Sequence, residues 1–436
     1  MSDANPDANP DPSSEDRPDG GPGAAGSPET PATGGDAAAG PLPDHVERPH
    51  VRPIQPIPVK KDGKPFVALR DPSMLQKQTM VVPMPALQAI QQFQGKATLD
   101  ELATKFGGRR EPLVELAVNL DKLGLLWGPT FERLEKARWD QLSERGAFPP
   151  RASSTLGKDA DACRAQMDAW LNETEDPELE FAPRGIVAPH LDYGRGWPNY
   201  AAAWYGVRGI ERPDRVVVLG TNHFGLGDGV VMTEIDFETP LGRLEQDAAV
   251  RDRLMERFGR PLVVDQLDHL AEHSIDLQLP WIQHVLGDVP VLAALVPDPL
   301  RPMVDDPGTE RVSFSDFVEG LREVLDAAGG TTFFVASSDL SHVGPQFGEP
   351  RPVDEQRSAD VERHDREMMG RFVAGDAEQF LGAMQWNRNP TRWCSIGNMA
   401  AMLKLLEPET VELIDYRQAR DERGVAMVSS AAIALG

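Results

Sequence analysis

Only two cysteines, Cys163 and Cys394, occur in 436 residues. Two cannot build a disulfide scaffold, and such scarcity fits a reducing compartment. Positive charge is also in deficit, with 44 Lys and Arg against 69 Asp and Glu and a net charge of −25. That balance repels nucleic acid and anionic membrane, so neither is an expected partner. No apolar run approaches the roughly 20 residues of a membrane-spanning helix. No basic stretch followed by an apolar core opens the chain, so no signal peptide is expected and the protein is predicted to be cytoplasmic. Glycine-rich phosphate loops, GxSxG elbows and HExxH helices are missing as well, which removes several large enzyme classes. What is present is an ordinary core-forming fraction, 40% hydrophobic.

The chain divides by composition. Residues 1–44 hold nine acids and one arginine, with no aromatic. They cannot bury enough apolar surface to offset their ordering entropy, and a disordered tail is expected. Residues 45–65 read as a proline-rich extended arm. Residues 66–135 read as a small winged-helix-like module: short strands at Phe66–Leu69 and Met80–Val82, a helix over Pro85–Phe93, and a second helix opened by a Thr98–Glu101 capping box. A third helix carries Leu113, Leu116, Ala117, Leu120 and Leu123 at helical spacing, and Leu125-Leu126-Trp127 reads as a strand. From Pro85 to Trp127 five Lys and Arg face five acids. A neutral module lacks the charge that DNA affinity needs, so a peptide or protein partner is expected there. Residues 136–179 read as linker helices, with Gly146–Ser154 as a connecting stretch.

From 180 to 436, strand and helix patterns alternate, which argues for an α/β domain with a mostly parallel sheet flanked by helices. The pure β-branched run Val216-Val217-Val218 predicts a strand covered on both faces. Ile186–Ala188 is a second such run. Each is followed by a histidine, His190 and His223, and the positions just beyond strand C-termini line the crevice of an open parallel sheet. Tyr200–Val207 has the composition of the crossover helix between them. Two more histidines, His273 and His342, sit in polar turns or after a strand. Cys394 stands at a helix entrance, where backbone amides favour a thiolate. Imidazole and thiolate suit iron, copper or zinc, and two His plus one Cys leave a position for water or substrate. The bland alternative for Cys394 is a small buried apolar residue. Asp339 stands three residues before His342, where a carboxylate holds an imidazole as a general base or caps the next element. Glu272-His273 suits hydrogen bonding to the ligands or capping of the helix that follows.

Several of these stretches occur together in a known order. Pro189-His190 followed by Tyr193, Leu219-Gly220-Thr221-Asn222-His223, Glu272 to Pro280, Ser337-Ser338-Asp339-Leu340-Ser341-His342 and Cys394-Ser395-Ile396-Gly397 resemble the motifs of the Memo family. That family includes the B component of AmmeMemoRadiSam gene systems. The resemblance spans about 180–436. It implies a fold similar to class III extradiol dioxygenases, a metal ion (iron or copper ahead of zinc) held by His190, His223 and Cys394, and His342 in place of the dioxygenase base. A thiolate stands where those dioxygenases use a carboxylate, which turns the expectation away from ring cleavage. Leu191-Asp192 replaces the Ala-Gly common in the family, which implies an extra carboxylate, Asp192, toward the pocket. Two functions follow: a metal-dependent, dioxygenase-like oxidoreductase, or a non-catalytic metal- or peptide-binding partner of a radical-SAM enzyme.

Overall fold

A computed structural model describes residues 41–436 except 62, 72, 77, 224–228 and 302–309. The expected disordered tail therefore lies outside the described residues, save its last four. Residues 1–43 and 44–436 form two separate units, and the second is described here.

Its first part is a three-stranded antiparallel sheet, β1 (Gln55–Lys61), β2 (Lys64–Arg70) and β3 (Met80–Pro83). Helices follow at Met84–Ile90, Leu99–Phe106, Glu111–Lys122 and Pro129–Arg145. The Thr98 capping box forms: its hydroxyl accepts the Glu101 amide, and the Glu101 carboxylate accepts the Thr98 amide. Leu125–Trp127 does not become a strand. Leu126 makes a single bridge to Val51, so among the described residues its pairing comes from the arm.

The stretch expected as a linker is built into the larger part. β4 (Ala147–Phe148) pairs in parallel with β7 (Asp236–Thr239), which pairs with β8 (Gly242–Leu244). Ser153 and the Arg151 amide both donate to half-buried Asp276. The helix Ala160–Glu173 buries Cys163, Met167 and Leu171.

The main sheet comprises β5 (Gly185–Ala188), β6 (Arg215–Thr221), β9 (Val291–Val296), β10 (Thr332–Ser337), β11 (Asp339–Val343), β12 (Val411–Arg420) and β13 (Met427–Leu435). Its order is β11-β13-β5-β10-β6-β9, with β12 paired to β13. The sheet is mixed, and this corrects the mostly parallel expectation. β5, β10, β6 and β9 run parallel, while β11, β12 and β13 add antiparallel pairings. The last two strands are linked by a short turn, which permits only antiparallel pairing. Nor do β5 and β6 touch, because β10 lies between them.

Alternation in β6 explains why its apolar run has no polar phase. Val217 and Leu219 enter one core with Phe317, Leu321, Phe372 and Met399. Val216 and Val218 enter the other with Tyr200, Trp204 and Trp281. Both faces are covered by helices, giving a helix–sheet–helix sandwich. Each such side chain fully buried contributes about 1.5–3 kcal/mol. No helix among the described residues is long and apolar enough to cross a membrane.

Candidate metal centre

Three neighbouring parallel strands, β5, β10 and β6, end at one edge, and the chain just past each end carries His190, Ser338-Asp339 and His223. Two glycines let loops close over that edge. A Cβ on Gly220 would meet Ser274 Oγ at 2.7 Å, so the Glu272–Ser274 loop rests on the strand. A Cβ on Gly397 would meet the Pro297 carbonyl at 1.9 Å, so the helix Ile396–Leu406, with Cys394 before it, seats against the end of β9.

The donor atoms of His190, His223 and Cys394 lie within 4.8 Å of one another. His190 is 1% exposed. Its Nδ1 lies 3.0 Å from the Ser337 carbonyl, which can only accept, so the proton sits on Nδ1. Nε2, left bare, lies 3.4 Å from Cys394 Sγ. Burial, then the neighbouring His223 and His273, hold the ring well below its usual pKa, so it stays neutral. His223 is fixed from the other side. Its Nδ1 lies 3.0 Å and 3.2 Å from the two Glu272 oxygens, and its amide donates to Glu272 at 2.6 Å. Burial opposes charge on His223, but Glu272 and a hydrogen bond with Cys394 outweigh it, and the pKa lies well above the ordinary value. Glu272 accepts from the His273 and Ser274 amides as well. Burial would raise its pKa, yet His223 and His273 hold it well below the carboxylate range.

Ligands 2.0–2.3 Å from one ion lie about 3–4 Å apart, and the His190–Cys394 separation of 3.4 Å falls in that range. Two neutral-capable imidazoles and a thiol, each held by its far side, fit a transition-metal ion. His223, Glu272 and His273 form a second close trio. Glu272 is already saturated by amides and rings there, which makes it the orienting group.

The other expected residues take distinct places. His273 stacks on His223, with centroids 4.9 Å apart, and meets His190 edge-on at 5.4 Å. Asp339 does not pair with His342. Its Oδ1 accepts the His190 amide at 3.0 Å and its Oδ2 lies 3.8 Å from His190 Nε2. A bulge between Asp339 and His342 separates them. Burial pushes Asp339 up to about 6. His342 is outside the close trio. Its Nδ1 meets the Leu340 carbonyl at 3.1 Å, and its ring packs edge-on against Phe347. Burial and the charge on His223 bring it down to about 4. Asp192 brings no carboxylate to the cluster. It caps the helix Tyr193–Tyr205, accepting from the Arg195 amide at 3.2 Å and guanidinium at 2.6 Å, and is exposed.

Beneath the trio lie groups that sequence reasoning missed. Asn398 donates to the Ser337 carbonyl at 2.6 Å and to Thr221 Oγ at 3.2 Å, tying β10 to β6. Gln278 donates to the Pro189 carbonyl and to Ser337 Oγ at 3.0 Å. Buried amides leave no periodic trace, and only position could have marked them: Gln278 lies inside the Glu272–Pro280 motif and Asn398 directly follows Gly397.

Residues 149–434 match the family model described as Memo-like protein. The chain belongs to the Memo family. A MEMO1 family protein of Methanopyrus kandleri is 29% identical over 290 residues, covering 64% of this chain and 92% of the relative. One from Aquifex aeolicus is 25% identical over 284 residues, 65% of this chain and 70% of the relative. Another from Nitrosopumilus maritimus is 24% identical over 286 residues, 64% and 92%. All the residues of the centre fall inside the Memo match, whereas the β1–β3 sheet and its helices precede it.

Proposed function

We propose that this Memo-family chain binds one transition-metal ion through His190, His223 and Cys394 and works as an oxidoreductase of dioxygenase-like architecture. The carrying observation is the orientation of the two rings: Ser337 and Glu272 occupy their Nδ1 positions, which turns Nε2 of His190 toward Cys394. Iron or copper fits this donor set, and zinc also fits. A bound ion would supply Lewis acidity and, for iron or copper, redox chemistry at an open coordination position. The chain's own contribution is to hold two imidazoles neutral or poised and to shield the pocket. His342 accepts a proton there on Nε2, since Leu340 takes its Nδ1–H. Asp339 steadies the His190 backbone.

The test is metal content after anaerobic loading. His190→Ala and Cys394→Ala should strip the ion, while His342→Ala should retain it and lose turnover. Equal metal loss in His342→Ala would make it a ligand and end this division of roles. Oxygen uptake by the iron-loaded protein with catechols decides between catalysis and binding. No uptake with metal bound favours the second reading, a non-catalytic partner of a radical-SAM enzyme.

A feature of the β1–β3 sheet favours a binding role for the first part of the chain. Ile57, Ala68 and Val81 stand opposite one another across the three strands, as do Val59, Phe66 and Pro83. This apolar face leaves Ile57 37% and Val81 46% exposed, with exposed Lys64 and Arg70 at either end of β2. An extended peptide with apolar residues flanked by carboxylates matches it. Tight binding to duplex DNA instead would contradict this reading.

A further inference from the structure

Asp365 lies in the middle of the helix Glu355–Val373, fully buried and in no salt bridge among the described residues. A buried carboxylate survives ionised only when its lone pairs are filled. Here four donors fill them. Ser341 Oγ donates at 2.5 Å and Trp393 Nε1 at 2.7 Å to Oδ1, while Tyr416 OH donates at 2.8 Å and Ser429 Oγ at 2.5 Å to Oδ2. Ser341 precedes His342, and Trp393 precedes Cys394. Ser341 and Trp393 also bond each other, Trp393 Nε1 to Ser341 Oγ at 3.1 Å.

We infer that Asp365 is a positioning residue of the centre: one carboxylate oxygen sets the strand that bears His342 and the loop that bears Cys394 relative to each other. This rests on the metal reading of the site. The approach to Cys394 needs such an anchor. Arg388, Asn389 and Arg392 all adopt left-handed φ values, 56°, 46° and 61°, which are costly for residues with a Cβ. A segment with that much stored strain keeps its shape only if it is tied down at its end. Trp393 is the tie, 2% exposed and bonded to Asp365, with its amide and carbonyl also held by Asn389. The other oxygen of Asp365 fastens β12 and β13, so the loop is referenced to the rigid sheet. Oδ1 reaches the residues before His342 and Cys394 directly, while Oδ2 holds Tyr416 and Ser429, and Ser429 Oγ in turn accepts the Ser341 amide at 2.9 Å.

The experiment uses the full chain with Asp365→Leu, Trp393→Phe and Tyr416→Phe. Leu keeps about the size of the side chain and accepts no hydrogen bond, whereas Asn would keep an acceptor oxygen for Trp393 and turn its NH2 toward hydroxyls that can accept. Each variant is first checked for folding by circular dichroism and melting. Two readouts follow: Co(II) titration with the thiolate-to-metal charge-transfer band, and the alkylation rate of Cys394 in the metal-free protein. Asp365→Leu and Trp393→Phe should weaken Co(II) binding by roughly tenfold, the low end of what removing an orienting partner costs, shift the band, and speed Cys394 alkylation severalfold. Tyr416→Phe, which removes a donor that leads to no site residue, should lower the melting temperature and leave both readouts unchanged. Unchanged band and alkylation in folded Asp365→Leu, or in Trp393→Phe should Asp365→Leu not fold, would overturn the inference, as would an equal change in Tyr416→Phe. If the unmodified protein takes up no Co(II), the metal reading fails and the alkylation rates still decide the positioning role.

Discussion

At the N-terminal end of β6, Arg215 donates to Asp247 at 2.7 Å, to the Gly329 carbonyl at 2.7 Å and to Thr332 Oγ at 3.3 Å. At the C-terminal end of the same sheet, His190 and His223 spend one nitrogen each on Ser337 and Glu272 and aim the other at Cys394. At the first, closed end the charges of Arg215 and Asp247 cancel across a direct pair. The other, open end gathers two imidazoles and a thiol around one point, where burial and neighbouring charges drive the ring pKa values away from their ordinary range, His190 down and His223 up. Burial is similar at both ends, so burial alone does not mark a site. Convergence of ligand-type side chains with shifted pKa values does, because an ion pair neutralises itself whereas imidazoles and a thiol around one point can be shared by an ion.

The strongest way to break this comparison is at the closed end. Arg215→Met removes one partner of a largely buried pair and strands Asp247, which should cost about 3–5 kcal/mol. Denaturant unfolding measures that loss, and metal content of the folded fraction should not change. Metal loss in folded Arg215→Met would show that the two ends are not separable.

At the open end, Glu272→Gln sharpens the contrast. The Gln amide cannot accept from the His223 ring and three backbone amides at once. Metal affinity should fall about 10–100-fold, as is usual when the group orienting a ligand imidazole is removed. Competition with a chelator of known affinity reads this directly. A loss of stability with unchanged affinity would place Glu272 with Arg215 as a purely structural group.

How much of this was legible depends on the kind of signal. β6 was readable because a strand covered on both faces has no polar phase, and Val216–Val218 show none. The Thr98 capping box was readable because its partners are three residues apart. Strand order was not: β10 enters between β5 and β6 from more than a hundred residues away, and nothing local records that. The Asp339–His342 pairing failed because a bulge is invisible in sequence, and the mixed sheet was missed because β13 is largely apolar like a parallel strand while β11, Asp-Leu-Ser-His-Val, reads as a polar turn. Asp192 reads equally well as a pocket carboxylate or a helix cap, and the local option won. Asp365 had a trace that went unread. Val361, Asp365, Met368, Met369 and Phe372 are the buried positions of its helix. An acid at the spacing of an apolar stripe is a buried acid, and a buried acid needs donors.

The smallest predicted effect concerns a histidine near the centre that belongs with the closed end. His269 lies between Phe148 and Phe237, with centroids 5.8 Å from each, and its Nε2 meets the Val231 carbonyl at 3.2 Å. Its Nε2–H is spent on that carbonyl, and its ring is held in an aromatic slot away from the close trio. Burial lowers its pKa from the usual 6.5 to about 4. Between those values the unfolded chain carries a proton there that the folded chain does not. Stability from this group is therefore complete above about pH 6.5 and is lost as pH falls toward 4. At 1.36 kcal/mol per pKa unit, the loss between pH 7 and pH 5 is about 2 kcal/mol. His269→Gln keeps a donor for Val231 and removes the titration. Other groups titrating in this range are common to both proteins, so the difference between the two unfolding free energies isolates His269. That difference should shift by about 2 kcal/mol in favour of the variant on going from pH 7 to pH 5, with metal affinity at pH 7 unchanged. A pH-independent difference would mean that His269 is not held neutral by burial, and would move it from the structural histidines to the reactive ones.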